Sequence, residues 1–355
     1  MPVVTDVLVL DPAHPAPEGI ARAADILRRG GLVAFPTETV YGLGAHALDA
    51  AAVRRVFEAK GRPAEDPLIV HIHDIDALTA LIEDRPDAVE ALASRFWPGP
   101  LTMVLRRSSA VPAEVTAGLE TVAIRIPAHP IAFALISAAA IPVAAPSANL
   151  FSRPSPTRAA HVLEDLDGRI DLVIDGGAAT VGVESTVIDL TTPIPAILRP
   201  GAVTVEMLQT VLPGVRIRNA SVRDRGAGGM KSPGLLSRHY SPRAELTLYE
   251  GPTRPVVERI IADATSAIAR GQRVGIIAAD EDELTAPPVV RVARLGSERN
   301  HQVLAANLYN TLRSLDAEGV DVILARTFAD ESGLTVAIHD RLRRAAAGRI
   351  IRVED

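Results

Sequence analysis

The sequence predicts an α/β fold in two domains, and three observations support this prediction. The chain has 355 residues, whereas a single hydrophobic core usually stops growing at about 250–300 residues. Short apolar runs that end at proline or polar residues alternate with amphipathic helical segments, which is the pattern of an α/β layer fold. A change of composition at residues 215–243 separates two regions of this kind.

In the first region, strands and helices alternate from residue 18 onward. Residues 18–29 are amphipathic and helical, and Gly30-Gly31 ends them. Asp49 is a candidate N-cap for a helix that ends near Lys60-Gly61. The predicted strands are residues 32–35, 67–72, 101–105, 122–126, 141–145, 172–174, 183–190 and 196–198. Because short turns join some of these strands, the sheet is expected to be mixed rather than purely parallel.

Residues 215–243 differ in composition from both regions. They carry seven Lys or Arg and one acidic residue, Asp224, in a chain whose net charge is −6. Such a segment is typical of a solvated linker, but its basic bias also fits contact with an anion.

A second alternating region follows this segment. Strands are predicted at residues 246–249, 274–278 and 322–325, and helices at residues 301–317 and 335–347. This order is typical of a small doubly wound α/β domain. We therefore expect a first domain at residues 1–210, a basic linker at residues 211–243, and a second domain at residues 244–355.

Composition excludes several classes of function. The absence of cysteine excludes disulfides, thiolate zinc sites and a cysteine nucleophile, and it fits a reducing cytoplasm. No segment has the features of a signal peptide, and no apolar run approaches the roughly 18 residues that span a bilayer. The acidic balance is unlike that of a general nucleic-acid binder. We expect a cytoplasmic protein with no membrane partner and with anion sites formed by local clusters of positive charge.

The first polar motif is the segment from Pro36 to Gly44, which follows a predicted strand. Its end, Gly42-Leu43-Gly44-Ala45-His46-Ala47, matches the G-x-G-x-x-A pattern of a dinucleotide site. Six residues separate the strand from the first glycine, and they include Thr, Glu and Tyr. We therefore reject the dinucleotide interpretation.

The second motif is Lys60-Gly61-Arg62-Pro63, followed by Asp66 and by His71-Ile72-His73. Two cations at a helix C-terminus can be purely structural, because the helix dipole favours them there. Arg62, however, lies between Gly61 and Pro63 in a constrained loop, which suits phosphate binding by a lysine and a bidentate arginine. For the two histidines, substrate hydrogen bonding or a structural role is favoured over a metal pair, because no third ligand is nearby.

The third motif is Ala144-Ala145-Pro146-Ser147-Ala148-Asn149, with further serines up to Ser155. Small residues at a strand end let a ligand approach the backbone, although an ordinary Pro/Ser turn has the same composition. A serine nucleophile is not expected, because Ser147 lacks the G-x-S-x-G elbow. Arg125 is a charge within an apolar strand and needs a partner, for which a ligand carboxylate is suitable.

Together these segments resemble the YrdC-like family of threonylcarbamoyl-AMP synthases. The Lys-x-Arg and Ser-x-Asn pairs of that family stand here as Lys60/Arg62 and Ser147/Asn149. The runs P-T-E-T-V-Y-G-L-G, F-W-P-G-P-L-T, A-x-R-I-P, E-S-T-V and L-R-P-G are also similar, and residues 232–355 resemble the two-domain form. The resemblance implies a YrdC-like twisted mixed sheet with helices and a concave groove, plus a smaller C-terminal Rossmann-like domain.

The resemblance also implies an activity, that of a nucleotidyltransferase. L-threonine, bicarbonate or CO2, and ATP with Mg²⁺ would give threonylcarbamoyl-AMP and pyrophosphate, for a downstream machinery that modifies the tRNA adenosine next to the anticodon. It leaves open whether the chain itself binds tRNA. Two alternatives also stay open: an RNA-binding module with a basic groove, and a carbamoyl-adenylate synthase for another amine.

The resemblance assigns residues to each substrate. The ATP set is Lys60 and Arg62, which are also the catalytic pair, with Asp66, Thr121, Ser147, Asn149, Ser155, Arg199, His239 and Tyr240. The threonine set is Thr39, His71, Arg125, Ala145 through its backbone, and Ser185. No residue is assigned as a metal ligand.

Overall fold

The computed structural model describes residues 4–218 and 239–354. The chain separates into two compact units, one of Met1–Phe151 with Ser155–Leu235 and the other of Ser152–Pro154 with Leu236–Asp355. Most of the predicted basic linker, residues 219–238, lies outside the described residues. The division at residues 210 and 243 therefore stays a prediction.

The first unit alternates strands and helices. Its described strands are β1 (Asp6–Val9), β2 (Val33–Phe35), β3 (Gly42–His46), β4 (Ile69–His71), β5 (Leu101–Arg106), β6 (Thr121–Arg125), β7 (Val143–Ala144), β8 (Leu172–Asp175), β9 (Thr186–Asp189), β10 (Ala196–Arg199) and β11 (Arg216–Ile217). Its described helices are α1 (Pro17–Arg28), α2 (Ala50–Lys60), α3 (Leu78–Leu81), α4 (Asp87–Phe96), α5 (Ala113–Thr116), α6 (Pro130–Ala139), α7 (Ala159–Leu166) and α8 (Val205–Gln209).

Within the described residues, these strands form one mixed sheet. The strand order is β1-β8-β2-β3-β7-β4-β6-β5-β9-β10-β11. The pairs β4–β6 and β5–β9 are parallel, whereas β5–β6, β4–β7 and β2–β3 are antiparallel. The predicted mixed α/β sheet is confirmed.

Alternate residues of the central strands face opposite sides of this sheet, because the side-chain period of a strand is two. Val70, Ile124, Met103 and Ile188 belong to the large core of the unit, together with apolar residues of α2 and α4. The residues between them form a separate small apolar cluster of Ile69, Val104, Ala123, Val187 and Leu198. We call the side of the sheet that carries this second cluster the polar face, because His71 and Arg125 lie on it.

The Lys-x-Arg motif lies at the C-terminal end of helix α2. Asp49 caps this helix as predicted, since its Oδ1 accepts hydrogen bonds from the backbone N–H groups of Ala51 and Ala52. Gly61 ends the helix with φ 60°, a left-handed conformation that favours glycine. Lys60 is therefore the last residue of the helix, and Arg62 lies in the loop beyond it.

The second unit is a parallel α/β domain. Its strands are β12 (Glu245–Glu250), β13 (Val274–Ala278), β14 (Arg291–Arg294), β15 (Val322–Arg326) and β16 (Ile350–Arg352), and its helices are α9 (Thr253–Ala269), α10 (His301–Ala317) and α11 (Thr335–Ala346). The strand order is β14-β13-β15-β12-β16, and the pairs formed are parallel. The predicted small Rossmann-like domain is confirmed in its parallel layers.

Among residues 4–218 and 239–354, no helix has the length and apolar character that crossing a membrane requires.

Candidate active site

The loop between β2 and β3 is held in shape by Thr37. Its hydroxyl donates to the carbonyl of Val40 at 2.6 Å and accepts from the N–H of Thr39 at 3.2 Å. The hydroxyls of Thr37 and Thr39 are 2.8 Å apart and share a hydrogen bond. These contacts fix the direction of the Thr39 side chain, which reaches the end of β6.

Arg125, at the C-terminal end of β6, is a buried cation with three partners, two of which are adjacent residues of the β2–β3 loop. Its Nη1 donates to Thr39 Oγ1 at 2.9 Å, and its Nε donates to the carbonyl of Gly99 at 3.1 Å. Its Nη2 lies 2.5 Å from Oε1 of Glu38, and the two side chains are 4% and 11% exposed. A guanidinium carries five N–H donors, so these contacts orient Arg125 and leave donors for a further anion.

Glu38 is the charge partner that sequence reasoning missed. Burial by itself raises the pKa of this carboxyl, but the charge of Arg125 and the hydrogen bond from it lower the pKa more, so the net shift is downward. Glu38 is therefore ionised at neutral pH. The signal for it was already present, because a buried arginine needs an anionic partner and Glu38 precedes Thr39 in the predicted motif.

His71 lies opposite Arg125 in the parallel pair β4–β6. Burial first, and then the nearby charge of Arg125, lower the pKa of His71 to about 3, so the ring is neutral at pH 7. Because β4 ends at His71, His73 lies beyond the strand and the two histidines do not share a strand face. No cluster of three or more His, Cys, Asp or Glu that could hold a metal occurs within the described residues.

Lys60 is buried beside the end of β7. Its ammonium group donates to the carbonyl oxygens of Ser147 and Asn149, at 2.5 Å each. The backbone N–H of Phe151 in turn donates to the carbonyl of Lys60 at 2.8 Å. The Lys-x-Arg and Ser-x-Asn motifs, which are far apart in sequence, are thus joined directly through Lys60.

Arg62 is held by the loop that precedes β4. Its Nη2 lies 2.9 Å from Oδ2 of Asp66, and both side chains are 3% exposed. Its Nε donates to the carbonyl of Asp66 at 3.1 Å, and its Nη2 to the carbonyl of Pro67 at 2.8 Å. Thr121 is the first residue of β6 and lies opposite Arg106 of β5. Its assignment to ATP stays a prediction.

The last residues of the site come from β9, β10 and the segments before them. Arg199 donates through Nε and Nη2 to the carbonyl of Ser185, at 3.2 and 3.0 Å, and through Nη2 to its hydroxyl at 3.1 Å. The Ser185 hydroxyl is also 2.8 Å from that of Thr102 on β5. Ser155 donates to Oε1 of Glu184 at 2.5 Å. Thr102 and Glu184 are further site residues that the sequence did not single out.

His239 and Tyr240, predicted to contact ATP, belong to the second unit and are buried there. Tyr240 has φ 60°. Within that unit, the centroid of the Tyr240 ring lies 5.5 Å from the centroid of the Tyr309 ring. The guanidinium carbon of Arg341 lies 5.3 Å from the Tyr240 centroid. Their assignment to ATP stays a prediction.

Within the first unit, direct contacts join the predicted residues in small groups: Arg125 with Thr39, Lys60 with Ser147 and Asn149, Arg62 with Asp66, and Arg199 with Ser185. Ala145, directly after β7, donates its backbone N–H to the carbonyl of Ile69 on β4 at 2.9 Å. Every second side chain of β6 points to the polar face, and these are Thr121, Ala123 and Arg125. His71 and Arg125 thus lie on the same side of the sheet as the small apolar cluster, an arrangement suited to a ligand with a charged end and an apolar part.

Gly201 packs closely against the backbone of the segment that carries Ser185. A Cβ atom at Gly201 would lie 2.4 Å from the carbonyl oxygen of Glu184 and from the N atom of Thr186. Gly201→Ala must therefore displace the segment that carries Ser185. We expect a loss of about 1–3 kcal/mol of unfolding free energy, measured by thermal denaturation. Gly214→Ala is the matched control, because no atom lies within 4 Å of its Cβ position; equal stability of the two variants would contradict the argument.

Comparison with known proteins gives the family. Residues 25–201 match the Sua5–YciO–YrdC family profile, described as telomere recombination, and residues 203–347 match the threonylcarbamoyl-AMP synthase C-terminal domain. The threonylcarbamoyl-AMP synthase of Pyrococcus abyssi is 48% identical and aligns with 93% of this chain and 95% of its own. That of Bacillus subtilis is 45% identical, over 94% of each chain. The chain belongs to the threonylcarbamoyl-AMP synthase family.

A solved structure supports the same assignment for the fold. The crystal structure of P. abyssi Sua5 complexed with L-threonine is 46% identical in sequence, covers 98% of this chain and 100% of its own, and has a TM-score of 0.91. The predicted YrdC-like fold with a second α/β domain is confirmed. The prediction that the chain is an enzyme, of the nucleotidyltransferase type, is confirmed by its full-length relatives.

Proposed function

We propose that this protein makes threonylcarbamoyl-AMP. In the proposed reaction, the amine of L-threonine and bicarbonate or CO2 form a carbamate, whose oxygen attacks the α-phosphorus of ATP. The bond from that phosphorus to the bridging oxygen breaks, and pyrophosphate leaves. Threonylcarbamoyl-AMP would then pass to the machinery that modifies the tRNA adenosine beside the anticodon, in the cytoplasm.

The observation that carries this proposal is the arrangement around Arg125. A buried guanidinium already bonded to Thr39, with neutral His71 opposite it, can receive a carboxylate on one side and a hydroxyl group on the other. Threonine carries both a carboxylate and a hydroxyl group. The family relative whose solved structure contains L-threonine supports the assignment. We assign Thr39, His71, Arg125, the backbone of Ala145, and Ser185 to this substrate.

The nucleotide is assigned to the other end of the polar face. Lys60 and Arg62 are buried cations that backbone carbonyl groups hold in place. Cations fixed in this way do not have to reorganise when negative charge develops on the leaving pyrophosphate in the transition state. The wider set proposed for ATP is Lys60, Arg62, Asp66, Thr121, Ser147, Asn149, Ser155 and Arg199, with His239 and Tyr240 from the second unit.

The chemistry asked of these residues is positioning and charge stabilisation. Carbamate and triphosphate are both anions, and their repulsion is the main obstacle to their meeting. Arg125 is proposed to hold the carboxylate of threonine and Lys60 the phosphates of ATP, so a cation would face a negative charge of each substrate. ATP is taken to enter as its magnesium complex, with the metal on the phosphate oxygens and no protein ligand assigned. The proposed basic linker, residues 211–243, would cover the site and exclude water, which hydrolyses mixed anhydrides.

One assay tests the proposed function. The full-length protein is incubated with MgATP, threonine and bicarbonate, and pyrophosphate and the adenylate product are both followed. We expect pyrophosphate release to require threonine and bicarbonate together, and serine and other amino acids to replace threonine poorly. A rate that is unchanged when threonine is omitted would refute the proposal, and an equal rate with serine would favour the alternative of another amine substrate.

A further inference from the structure

The proposed reaction, on which this inference rests, needs a proton acceptor. An α-amino group has a pKa of about 7.7–8.0 in a peptide terminus, so bound threonine carries mostly an ammonium group near neutral pH. An ammonium group has no lone pair and cannot attack bicarbonate or CO2. Some group near the amine must therefore receive one proton before the C–N bond forms.

Glu38 occupies the position that such an acceptor needs. Its Oε1 lies 2.5 Å from Nη2 of Arg125, the proposed partner of the threonine carboxylate. In an α-amino acid a single carbon separates the carboxylate from the ammonium group. A substrate whose carboxylate is held by Arg125 therefore brings its ammonium group close to the other ligands of the same guanidinium, and Glu38 is the anion among them.

The other carboxylates around the polar face have different contacts. Asp66 is paired with Arg62, and Glu184 accepts the hydroxyl of Ser155. Asp189 accepts hydrogen bonds from the backbone and hydroxyl of Thr191. Within the described residues, Glu38 is the carboxylate in contact with Arg125.

The surroundings of Glu38 allow its proton affinity to respond to the substrate. The groups that face it are the Arg125 guanidinium, the rings of His71 and His129, and the backbone N–H of Ala128. Burial raises its pKa, whereas Arg125 lowers it. A substrate carboxylate on Arg125 would offset part of the positive charge that lowers this pKa.

We propose that Glu38 binds the α-ammonium group of threonine and takes up its proton, which makes the amine nucleophilic. In this step one N–H bond of the ammonium group breaks and one O–H bond forms on Glu38. The nitrogen lone pair then forms the C–N bond with bicarbonate, water leaves, and the product is the carbamate. Glu38 releases its proton to solvent, so that one proton is liberated for each carbamate formed from bicarbonate.

The test is the pH dependence of Glu38→Gln in the full-length enzyme, with pyrophosphate release as the readout. The amide keeps the shape of the side chain and can accept a hydrogen bond from Arg125, but it cannot act as a base. We expect kcat at about pH 7 to fall by about 100-fold. We also expect it to rise with pH, by about tenfold per unit while the threonine amine is mostly protonated, because the fraction of free amine rises in that proportion.

Two further variants separate proton transfer from a structural role. Glu38→Asp keeps a carboxylate, so its pH profile should resemble that of the wild type even if its rate is lower. Glu58→Gln, on the exposed side of α2, is the matched control and should behave as wild type, and circular dichroism checks that every variant is folded. A Glu38→Gln enzyme with an altered KM for threonine but the kcat and pH profile of the wild type would overturn the inference.

The outcomes also distinguish this inference from the proposed function. Wild-type enzyme without threonine-dependent pyrophosphate release would overturn both. An active wild type beside an equally active Glu38→Gln variant would overturn only the role of Glu38.

Discussion

Replacing Lys60 with methionine is expected to lower kcat/KM by about 1,000-fold, corresponding to about 4 kcal/mol of transition-state stabilisation. Methionine has a similar length and removes only the positive charge and its hydrogen bonds. The charge is proposed to meet the phosphates of ATP, and Lys60 is fixed beside Ser147 and Asn149. The measurement is steady-state pyrophosphate release at saturating threonine and bicarbonate.

Stability must be measured with activity, because Lys60 is also buried. Its removal leaves two carbonyl oxygens without this partner, at a cost of about 1–3 kcal/mol, so the variant should melt at a lower temperature but remain folded. Arg54→Ala, on the exposed side of the same helix, removes a cation outside the site and should keep wild-type activity. A Lys60→Met enzyme with more than about a tenth of wild-type kcat/KM would contradict the catalytic assignment.

Arg125→Lys is expected to have the second large effect, and it should act on threonine rather than ATP. Lysine keeps the charge that balances Glu38 but cannot reach Thr39, Gly99 and Glu38 together as the guanidinium does. We expect KM for threonine to rise by about 100-fold, or about 3 kcal/mol, with KM for ATP changed by less than about threefold. Kinetics with each substrate varied in turn separate the two effects.

The choice of lysine in this experiment follows from burial. Alanine at position 125 would leave Glu38 as a buried carboxylate without its cation and would cost about 3–5 kcal/mol of stability, which would obscure the effect on binding. Arg95→Lys, an exposed substitution at the end of α4, provides the matched control. Equal increases in the KM of both substrates would show that Arg125 is not specific to threonine.

The sequence predicted many elements because their signals are local. The helix that Asp49 caps, the buried strand at residues 274–278 and the helix at residues 301–317 need only a cap, an apolar run or a helical period to be recognised. Strand β3 was not predicted, because Gly42 and Gly44 have low strand propensity. Its reason is tertiary: a Cβ atom at Gly44 would lie 2.8 Å from the ring of Phe35 and 2.9 Å from Val143 Cγ1.

Some site residues could be identified from the sequence, but their contacts could not, because the partners are distant in sequence. Arg125 could be identified because a charge in an apolar strand is conspicuous, whereas the pairing of Glu38 with it depends on how a loop returns to the end of β6. The contact of Lys60 with Ser147 and Asn149 spans 87 and 89 residues of sequence. Family resemblance predicts that these residues share one site, but their hydrogen bonds depend on how distant parts of the chain fold together.

The alternation of side chains in β4 and β6 has a consequence for how the chain can change in length. A one-residue deletion within β6 would move Ile124 to the polar face and turn Arg125 toward the large core, since every later side chain of the strand would change sides. The same deletion would therefore remove a proposed substrate contact and place a charge among apolar residues. Substitutions can alter one face of these strands at a time, whereas insertions and deletions alter both together. Length variation in such enzymes is therefore expected in the connections between strands rather than within them.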